Sequence, residues 1–119
     1  MSEAKRYRGG CHCGGVRFTV ETALTPVIEC NCSICKKRGH LLTFVGADAM
    51  TLEAGDDTLT DYRFNTGKIA HLFCPTCGVG AYGRGTGRDG KPMYAINVRC
   101  LDGVELGGLS VTPYDGASM

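Results

Sequence analysis

The chain has 119 residues and a formal net charge of +1, so it offers no broad basic surface and we expect no strong binding of nucleic acid. The opening segment, MSEAKRYRGG, carries charge and no apolar run, and no stretch approaches the ~18 apolar residues of a membrane span. We therefore predict a single cytoplasmic domain over residues 1–119, without a secretory signal or a membrane association.

Apolar residues that alternate with polar ones predict short strands along most of the chain. Val16, Phe18 and Val20 share one face of residues 15–21, which is typical of a half-buried strand. Further strands are predicted, in chain order, at residues 27–30, 40–47, 50–55 and 92–101, with an edge strand at 109–114. Residues 59–67 and 68–74 read as a hairpin whose turn lies at 65–67.

Helix and loop signals are few. Residues 33–39 are the one segment with helical character, two turns at most. The glycine-rich, cationic segment 83–91 matches no phosphate-binding pattern and is predicted to be a flexible connection. The eighteen glycines also favour tight turns. Together these patterns predict an all-β, or β-dominated, fold built from short antiparallel sheets with one short helix.

Eight cysteines are the unusual feature of the composition. In a compartment that keeps thiols reduced, such density favours metal binding over the alternative, a disulfide scaffold. Seven of the eight form three tight groups, namely Cys11-x-Cys13, Cys30-x-Cys32-x-x-Cys35 and Cys74-x-x-Cys77-Gly.

The last group is the strongest single signal. A C-x-x-C turn followed by glycine supplies two thiolates to a tetrahedral zinc ion, and Gly78 can take the positive φ that leaves the turn. Cys11 and Cys13 are the pair available to complete a closed, structural four-thiolate site. A thioredoxin-type redox dithiol is the alternative, but it requires the motif at a helix start within a βαβ unit.

The middle group predicts a second zinc site with three thiolates, from Cys30, Cys32 and Cys35. Three protein ligands with a free fourth position are typical of catalytic zinc, and such a site loses its metal more readily than a closed one, so partial occupancy is expected. A thiol bound at the free position would be deprotonated and nucleophilic. The basic run of Lys36, Lys37 and Arg38 follows directly, either as anchors for ligand carboxylates or as a solvated helix face.

The histidines and the eighth cysteine leave alternatives open. His40 could fill the fourth position of the second site and so make it purely structural. His12 is expected to be exposed. His71 alternates with Ile69 and Phe73, so it is either a satisfied strand histidine or a proton-handling group near a metal. Cys100 is predicted to be a buried, inert thiol in a strand.

The segments GGCHCGGVRF, CNCSICKKRG, FCPTCGVGAYG and YAINVRCLDGVE, in this order, resemble the family of glutathione-dependent formaldehyde-activating enzymes and centromere protein V. The resemblance runs over residues 9–105 and implies a β-tent fold. It also implies a structural zinc on Cys11, Cys13, Cys74 and Cys77, and an active-site zinc on Cys30, Cys32 and Cys35.

The activity that this resemblance implies joins the thiol of glutathione to formaldehyde and gives S-(hydroxymethyl)glutathione, which is carbon–sulfur lyase chemistry in the reverse direction. The expected partners are therefore glutathione, or another small thiol, and an aldehyde. The alternative hypothesis is a non-catalytic module that carries two structural zincs and docks a protein partner. The sequence predicts no oligomeric state.

Overall fold

The structure, a computed structural model, describes residues 4–63, 69–87 and 89–115. Its regular elements are ten strands and one α-helix within those ranges. They are, in chain order, β1 (Lys5–Gly10), β2 (Arg17–Thr22), β3 (Val27–Cys30), α1 (Ser33–Arg38), β4 (Leu42–Gly46), β5 (Met50–Ala54), β6 (Thr60–Tyr62), β7 (His71–Phe73), β8 (Tyr82–Thr86), β9 (Pro92–Asn97) and β10 (Val111–Tyr114).

The strands form three small sheets. One has the order β1-β2-β5, the largest has the order β10-β3-β4-β9-β8, and β6 pairs with β7 alone. A bridge between Ala70 and Arg84 joins the two-stranded sheet to β8, the edge of the largest sheet. The fold is therefore β-dominated, as the sequence predicts, and α1 lies between β3 and β4, where the three middle cysteines are found.

The core lies between the three-stranded and five-stranded sheets. Phe18 and Val20 of β2 and Ile96 of β9 are fully buried. The ring of Phe18 meets the ring of Tyr82 edge-on, with centroids 5.5 Å apart, so the two sheets contact each other through aromatic side chains. The alternation predicted for Val16, Phe18 and Val20 is confirmed, because all three side chains are buried.

Most predicted strands are confirmed with small shifts at their ends. Residues 27–30 form a strand with the predicted bounds, and α1 covers all but the last residue of the predicted helical segment. The predicted hairpin is present as the antiparallel pair β6 and β7, whereas its turn at 65–67 lies outside the described residues. The predicted edge strand at 109–114 is β10.

Three expectations about strands are wrong. The segment 83–91 is not simply a connection, because its first four residues, 83–86, belong to β8. Cys100 lies in a 3-10 turn, Val98–Cys100, because β9 ends at Asn97, whose side-chain oxygen accepts the Arg99 N–H at 3.2 Å. The sheets are not all antiparallel, since β10 pairs with β3 in parallel register.

The strand β1 was not predicted, and it shows why glycine can be required inside a strand. A Cβ atom on Gly9 would lie 2.8 Å from the Cys100 carbonyl oxygen and 2.8 Å from the Phe18 ring. Only glycine permits this close approach, which places β1 beside Leu101 and brings the chain to Cys11 at the end of the sheet.

A buried tyrosine fixes β8 to the turn after β5. The Tyr82 hydroxyl donates a 2.6 Å hydrogen bond to Asp56 Oδ1, which also accepts from Arg84 at 2.6 Å. Burial, and then this bond to Asp56, raise the pKa of Tyr82, so its hydroxyl stays protonated and donates. Arg84 also lies over the ring of Tyr94, with 5.4 Å between its Cζ atom and the centroid.

We expect Tyr82→Phe to destabilise the metal-loaded protein by about 1.5–3 kcal/mol, because a hydrogen bond to a charged group is lost from a buried position. Urea unfolding would measure the change. Tyr7→Phe is the matched control, since the Tyr7 hydroxyl has no hydrogen bond in the part of the chain that is described. Equal unfolding midpoints for the two variants would show that the Asp56 contact contributes nothing.

Candidate metal centres and the adjoining cavity

Four cysteines from two distant parts of the chain meet at one end of the fold. Cys11 and Cys13 follow β1, whereas Cys74 and Cys77 follow β7. Their four sulfur atoms all lie within 4.8 Å of one another. The turn between the last two closes through a 2.8 Å hydrogen bond from the Gly78 N–H to the Cys74 carbonyl, and Gly78 has the predicted positive φ of 80°.

The sulfur separations fit a tetrahedral metal ion. A zinc–sulfur bond of about 2.3 Å gives a tetrahedron with sulfurs about 3.8 Å apart. The Cys11 and Cys13 sulfurs lie 3.6 Å apart, and those of Cys13 and Cys74 lie 3.7 Å apart. A disulfide needs about 2.05 Å, so neither pair is bonded, and all eight cysteines are free thiols. The donor set therefore fits zinc.

Backbone amides point at these sulfurs. The Val16 N–H donates to Cys11 Sγ at 3.3 Å. The backbone N–H groups of Cys13 and Val79 lower the pKa of Cys77 to about 6. The Gly15 amide acts in the same direction on Cys13, but the neighbouring thiols Cys11 and Cys74 outweigh it and raise the pKa of Cys13 to about 11.

Four thiolates so close together repel one another, which is why the site favours mixed protonation without a cation. A divalent cation would deprotonate all four. The loop from Cys74 to Cys77 is a turn with no α-helix after it among the described residues, so it lacks the helix start of a thioredoxin-type dithiol. The four cysteines therefore form a group that could hold a metal ion.

The second cluster is formed by Cys30 at the end of β3, by Cys32 next to the start of α1, and by Cys35 within α1. Their three sulfurs lie within 4.8 Å of one another and are partly buried. The Cys32 N–H donates to Cys30 Sγ at 3.4 Å. We call these residues the three-thiol cluster.

Burial disfavours the thiolate form in the three-thiol cluster, whereas hydrogen bonds favour it at one of the three cysteines. Burial, and then the neighbouring Cys32 and Cys30, raise the pKa of Cys35 to about 12. The pKa of Cys32 is lowered: burial opposes this, but hydrogen bonds from the Cys35 backbone and side chain outweigh it. As in the group of Cys11, Cys13, Cys74 and Cys77, which we call the four-thiol site, a metal ion would favour the thiolate form of every cysteine that binds it.

His40 does not complete this cluster in the structure. Within the described ranges, the group of mutually close donor atoms contains the three sulfurs and no histidine nitrogen. His40 instead lies on the wall of an adjoining cavity, where the chain arrives after Gly39 ends α1 with a φ of 70°. The three sulfurs and His40 therefore border the same cavity without forming one donor group.

The cavity has a volume of about 570 Å³ and lies between the three-thiol cluster, the face of β4 and the start of β8. His71 of β7 lies on its wall, together with Arg38 and His40. His71 therefore lies in a strand and also borders the candidate metal site, so both of the roles considered for it stay open. We refer to this space as the open cavity.

Both histidines in the open cavity are held in the neutral form. Burial, and then the positive charge of Arg38, lower the pKa of His40 to about 4. The same two causes lower the pKa of His71, whereas Asp61 acts in the opposite direction. At neutral pH each imidazole can therefore accept one hydrogen bond and donate another.

The basic run after Cys35 is divided by the helix. Arg38 is half-buried on the wall of the open cavity, and its guanidinium donates to the Leu72 carbonyl at 3.4 Å. Lys36 borders a second cleft, of about 480 Å³, which Cys30, Cys35 and Tyr114 also line, and Lys37 lies on another surface with Tyr62. Of the three predicted anchors, the structure places Arg38 alone at the open cavity.

Gly80 determines where Arg38 lies. A Cβ atom here would overlap the Arg38 guanidinium and come within 2.9 Å of His40 Cε1. Asn97 holds this backbone in place by donating to the Gly80 carbonyl at 3.0 Å. The sequence motifs did not reveal Gly80 or Asn97, because their roles depend on packing between distant segments.

We expect Gly80→Ala to displace Arg38 and to weaken binding of a carboxylate-bearing thiol about tenfold or more, since one charge-assisted hydrogen bond is lost. Metal content should not change. Calorimetric titration of the metal-loaded protein with glutathione would measure the effect. Gly107→Ala is the control, because its added methyl group would meet no atom within 4 Å. An affinity for glutathione in Gly80→Ala equal to that of the wild type would show that Arg38 does not contribute to binding.

The remaining predicted residues lie away from the cavity. His12 is exposed, as expected. Cys100 is partly buried, accepts from the Asn97 amide at 3.5 Å, and has its pKa raised to about 11 by burial and then by Cys11 and Cys77. Among the described residues, no helix has the length and apolar content needed to cross a membrane.

Fold and site together define a small β protein with two cysteine groups, one of four thiols and one of three, that could each hold a metal ion. The sequence profile of the glutathione-dependent formaldehyde-activating enzyme family matches residues 6–112. The chain belongs to this family. It is also similar to the crystal structure of a Rhodobacter sphaeroides protein, with 33% sequence identity, a TM-score of 0.75, and coverage of 88% of this chain and 99% of that chain.

Proposed function

We propose that the protein is a zinc-dependent enzyme that makes and breaks the carbon–sulfur bond between a small thiol and an aldehyde. The family name indicates glutathione and formaldehyde, whose adduct is S-(hydroxymethyl)glutathione. The observation that carries the proposal is the three-thiol cluster, which opens into a cavity that also presents a cation and two neutral imidazoles. In this account the enzyme works in the cytoplasm, where its thiols stay reduced.

Cys30, Cys32 and Cys35 would hold the second zinc, while Cys11, Cys13, Cys74 and Cys77 would hold the structural one. When bound at the three-thiol cluster, zinc supplies a Lewis acid that favours the thiolate form of an incoming thiol. The protein holds the three donor sulfurs through β3, α1 and the Cys32 amide.

The side chains on the cavity wall supply the remaining chemistry. Arg38 offers a positive charge to a ligand carboxylate or to the aldehyde oxygen as it gains negative charge. A neutral nitrogen of His40 or His71 can accept the thiol proton, and the aldehyde oxygen ends with a proton in the product. The partly enclosed cavity limits the access of water to these groups.

The alternative, a docking module with two structural zincs, requires a fourth protein ligand at the second site. The described residues bring no histidine nitrogen into the three-thiol cluster, so that requirement is not supported. The formal net charge of +1 likewise gives no reason to propose a nucleic-acid partner.

Exchange NMR of glutathione with formaldehyde tests the proposal, because it measures adduct formation and cleavage at equilibrium. The zinc-loaded protein should accelerate exchange above the spontaneous rate, a weak chelator should remove the acceleration, and added zinc should restore it. The chelated sample should keep its folded spectrum if the open site empties first. Exchange at the spontaneous rate in a fully loaded sample would contradict the proposal.

A further inference from the structure

The walls of the open cavity are largely apolar beyond the three-thiol cluster. The side chains that form them come from β3, β4, β9 and the segment before β7. They are Ile28, Leu42, Phe44, Ile69 and Ala95. Phe44 is 46% exposed and Ile69 is 54% exposed, so two large apolar side chains at this cavity remain in contact with solvent. Burying them against a ligand would be favourable.

The charge of the open cavity does not match the full charge pattern of glutathione. Arg38 is the one charged side chain among its described lining residues apart from the thiols, since both histidines are neutral at pH 7. Glutathione carries two carboxylates and an ammonium group. Placing such groups against Ile28, Leu42 and Phe44 would remove their water without replacing its hydrogen bonds, which is costly.

Formaldehyde cannot use the apolar walls either. It has a single carbon and no substituent, whereas the cavity of about 570 Å³ is in the size range of sites for whole small-molecule ligands. An adduct of two small polar molecules would leave Phe44 and Ile69 exposed. An apolar group on the adduct would cover them.

We propose that the substrates of this site are thiol–aldehyde adducts in which one component carries an alkyl or aryl group that contacts Phe44, Leu42 and Ile69. This inference rests on the proposed function. The reaction is R–SH plus R′–CHO giving R–S–CH(OH)–R′, in which a sulfur–carbon bond forms, the carbonyl π bond is lost, and the thiol proton ends on the oxygen. The reverse step breaks the same bond, and nothing is oxidised or reduced.

Three reactant pairs test which component carries the apolar group. They are glutathione with formaldehyde, glutathione with phenylacetaldehyde, and benzyl mercaptan with formaldehyde, each measured by exchange NMR with the zinc-loaded protein. We expect at least one of the two apolar pairs to exceed glutathione with formaldehyde by about tenfold or more in kcat/KM. The faster of the two apolar pairs shows whether the thiol or the aldehyde carries the apolar group. Equal or lower values in both apolar arms would overturn the inference.

A second readout does not depend on activity. The affinity of the zinc-loaded protein for ethanethiol, butanethiol and hexanethiol, measured by calorimetry, should rise by up to about fourfold for each added methylene group that is buried. Phe44→Thr and Ile69→Thr should flatten this dependence. Leu52→Thr is the matched control, because Leu52 is 37% exposed and lies on β5, outside the open cavity. An equal dependence in all three variants would overturn the inference.

The two proposals fail in different ways. Acceleration of the glutathione and formaldehyde pair, with affinity that does not change along the alkanethiol series, would leave the proposed function intact and overturn this inference. Affinity that rises along the series, without acceleration of any pair, would support the apolar selectivity of the cavity and contradict the proposed enzyme activity.

Discussion

The Cys74→Ser variant should lose the four-thiol site and, with it, cooperative folding. This site joins the segment after β1 to the segment after β7, which are 61 residues apart at Cys13 and Cys74. Cys74 is itself buried in the core, so the variant also places a hydroxyl group in an apolar position. Serine is not among the usual zinc ligands.

The size of the effect follows from a comparison of two free energies. Structural zinc binding contributes about 10–16 kcal/mol in small zinc-binding peptides. The net stability of a domain is about 5–15 kcal/mol. Losing even part of the metal's contribution is therefore enough to unfold a chain of this size at ordinary temperature.

Thermal unfolding followed by circular dichroism, together with metal analysis, would check this expectation. Cys100→Ser is the matched control, because it makes the same chemical change at a partly buried thiol outside both clusters. The control should keep its metal and unfold as the wild type does. A Cys74→Ser protein with wild-type metal content and an unchanged transition would mean that the site is not structural.

The Cys32→Ser variant should keep its fold but lose one metal ion and the reaction. The three-thiol cluster is only partly buried, and α1 has no buried residue, so we expect the core not to depend on it. Lewis-acid stabilisation of developing charge is worth several kcal/mol, so we expect exchange between glutathione and formaldehyde to slow by about a hundredfold or more.

Metal analysis, near-ultraviolet circular dichroism and exchange NMR on the same sample would separate the two effects. The expected sample has one metal ion per chain, a native spectrum and exchange near the spontaneous rate. Full exchange activity in Cys32→Ser would place the reaction elsewhere. A collapsed spectrum would instead show that the three-thiol cluster is structural, as the docking alternative requires.

The grouping of the cysteines could be predicted from the sequence because ligand spacing is a local property. Cys11-x-Cys13 and Cys74-x-x-Cys77 each supply two donors, and the structure brings these four sulfurs together and leaves Cys30, Cys32 and Cys35 as a separate group. Strand alternation likewise identified the buried face of β2. These features depend on a few neighbouring residues.

Other features depend on contacts between distant segments and could not be predicted. The strands β1 and β8 are glycine-rich and lack clear alternation of apolar and polar residues. Both are strands because other segments of the same chain approach their backbones closely. A Cβ atom on Gly83 would lie 3.1 Å from the Ala70 carbonyl oxygen. The hydrogen-bond partners, and not the side chains, determine these two strands.

The different positions of Lys36, Lys37 and Arg38 also follow from packing. The side chains of successive helical residues point about 100° apart. Which of them faces the cavity depends on how α1 packs against β3. A sequence signal for the cavity does exist in β4, where Leu42 and Phe44 alternate with the buried Thr43 and Val45. A strand with apolar residues on both faces indicates that both faces have partners.

Cobalt substitution tests the central claim most directly, because absorption in the visible region reports the ligands of each ion. We predict two cobalt ions per chain, with sulfur ligation at both, and a spectral change at one of them when 2-mercaptoethanol is added. Cys32→Ser should abolish that change. Spectra that do not respond to the thiol, and that change when His40 is replaced by glutamine, would show that a native side chain fills the fourth position and would contradict an open site.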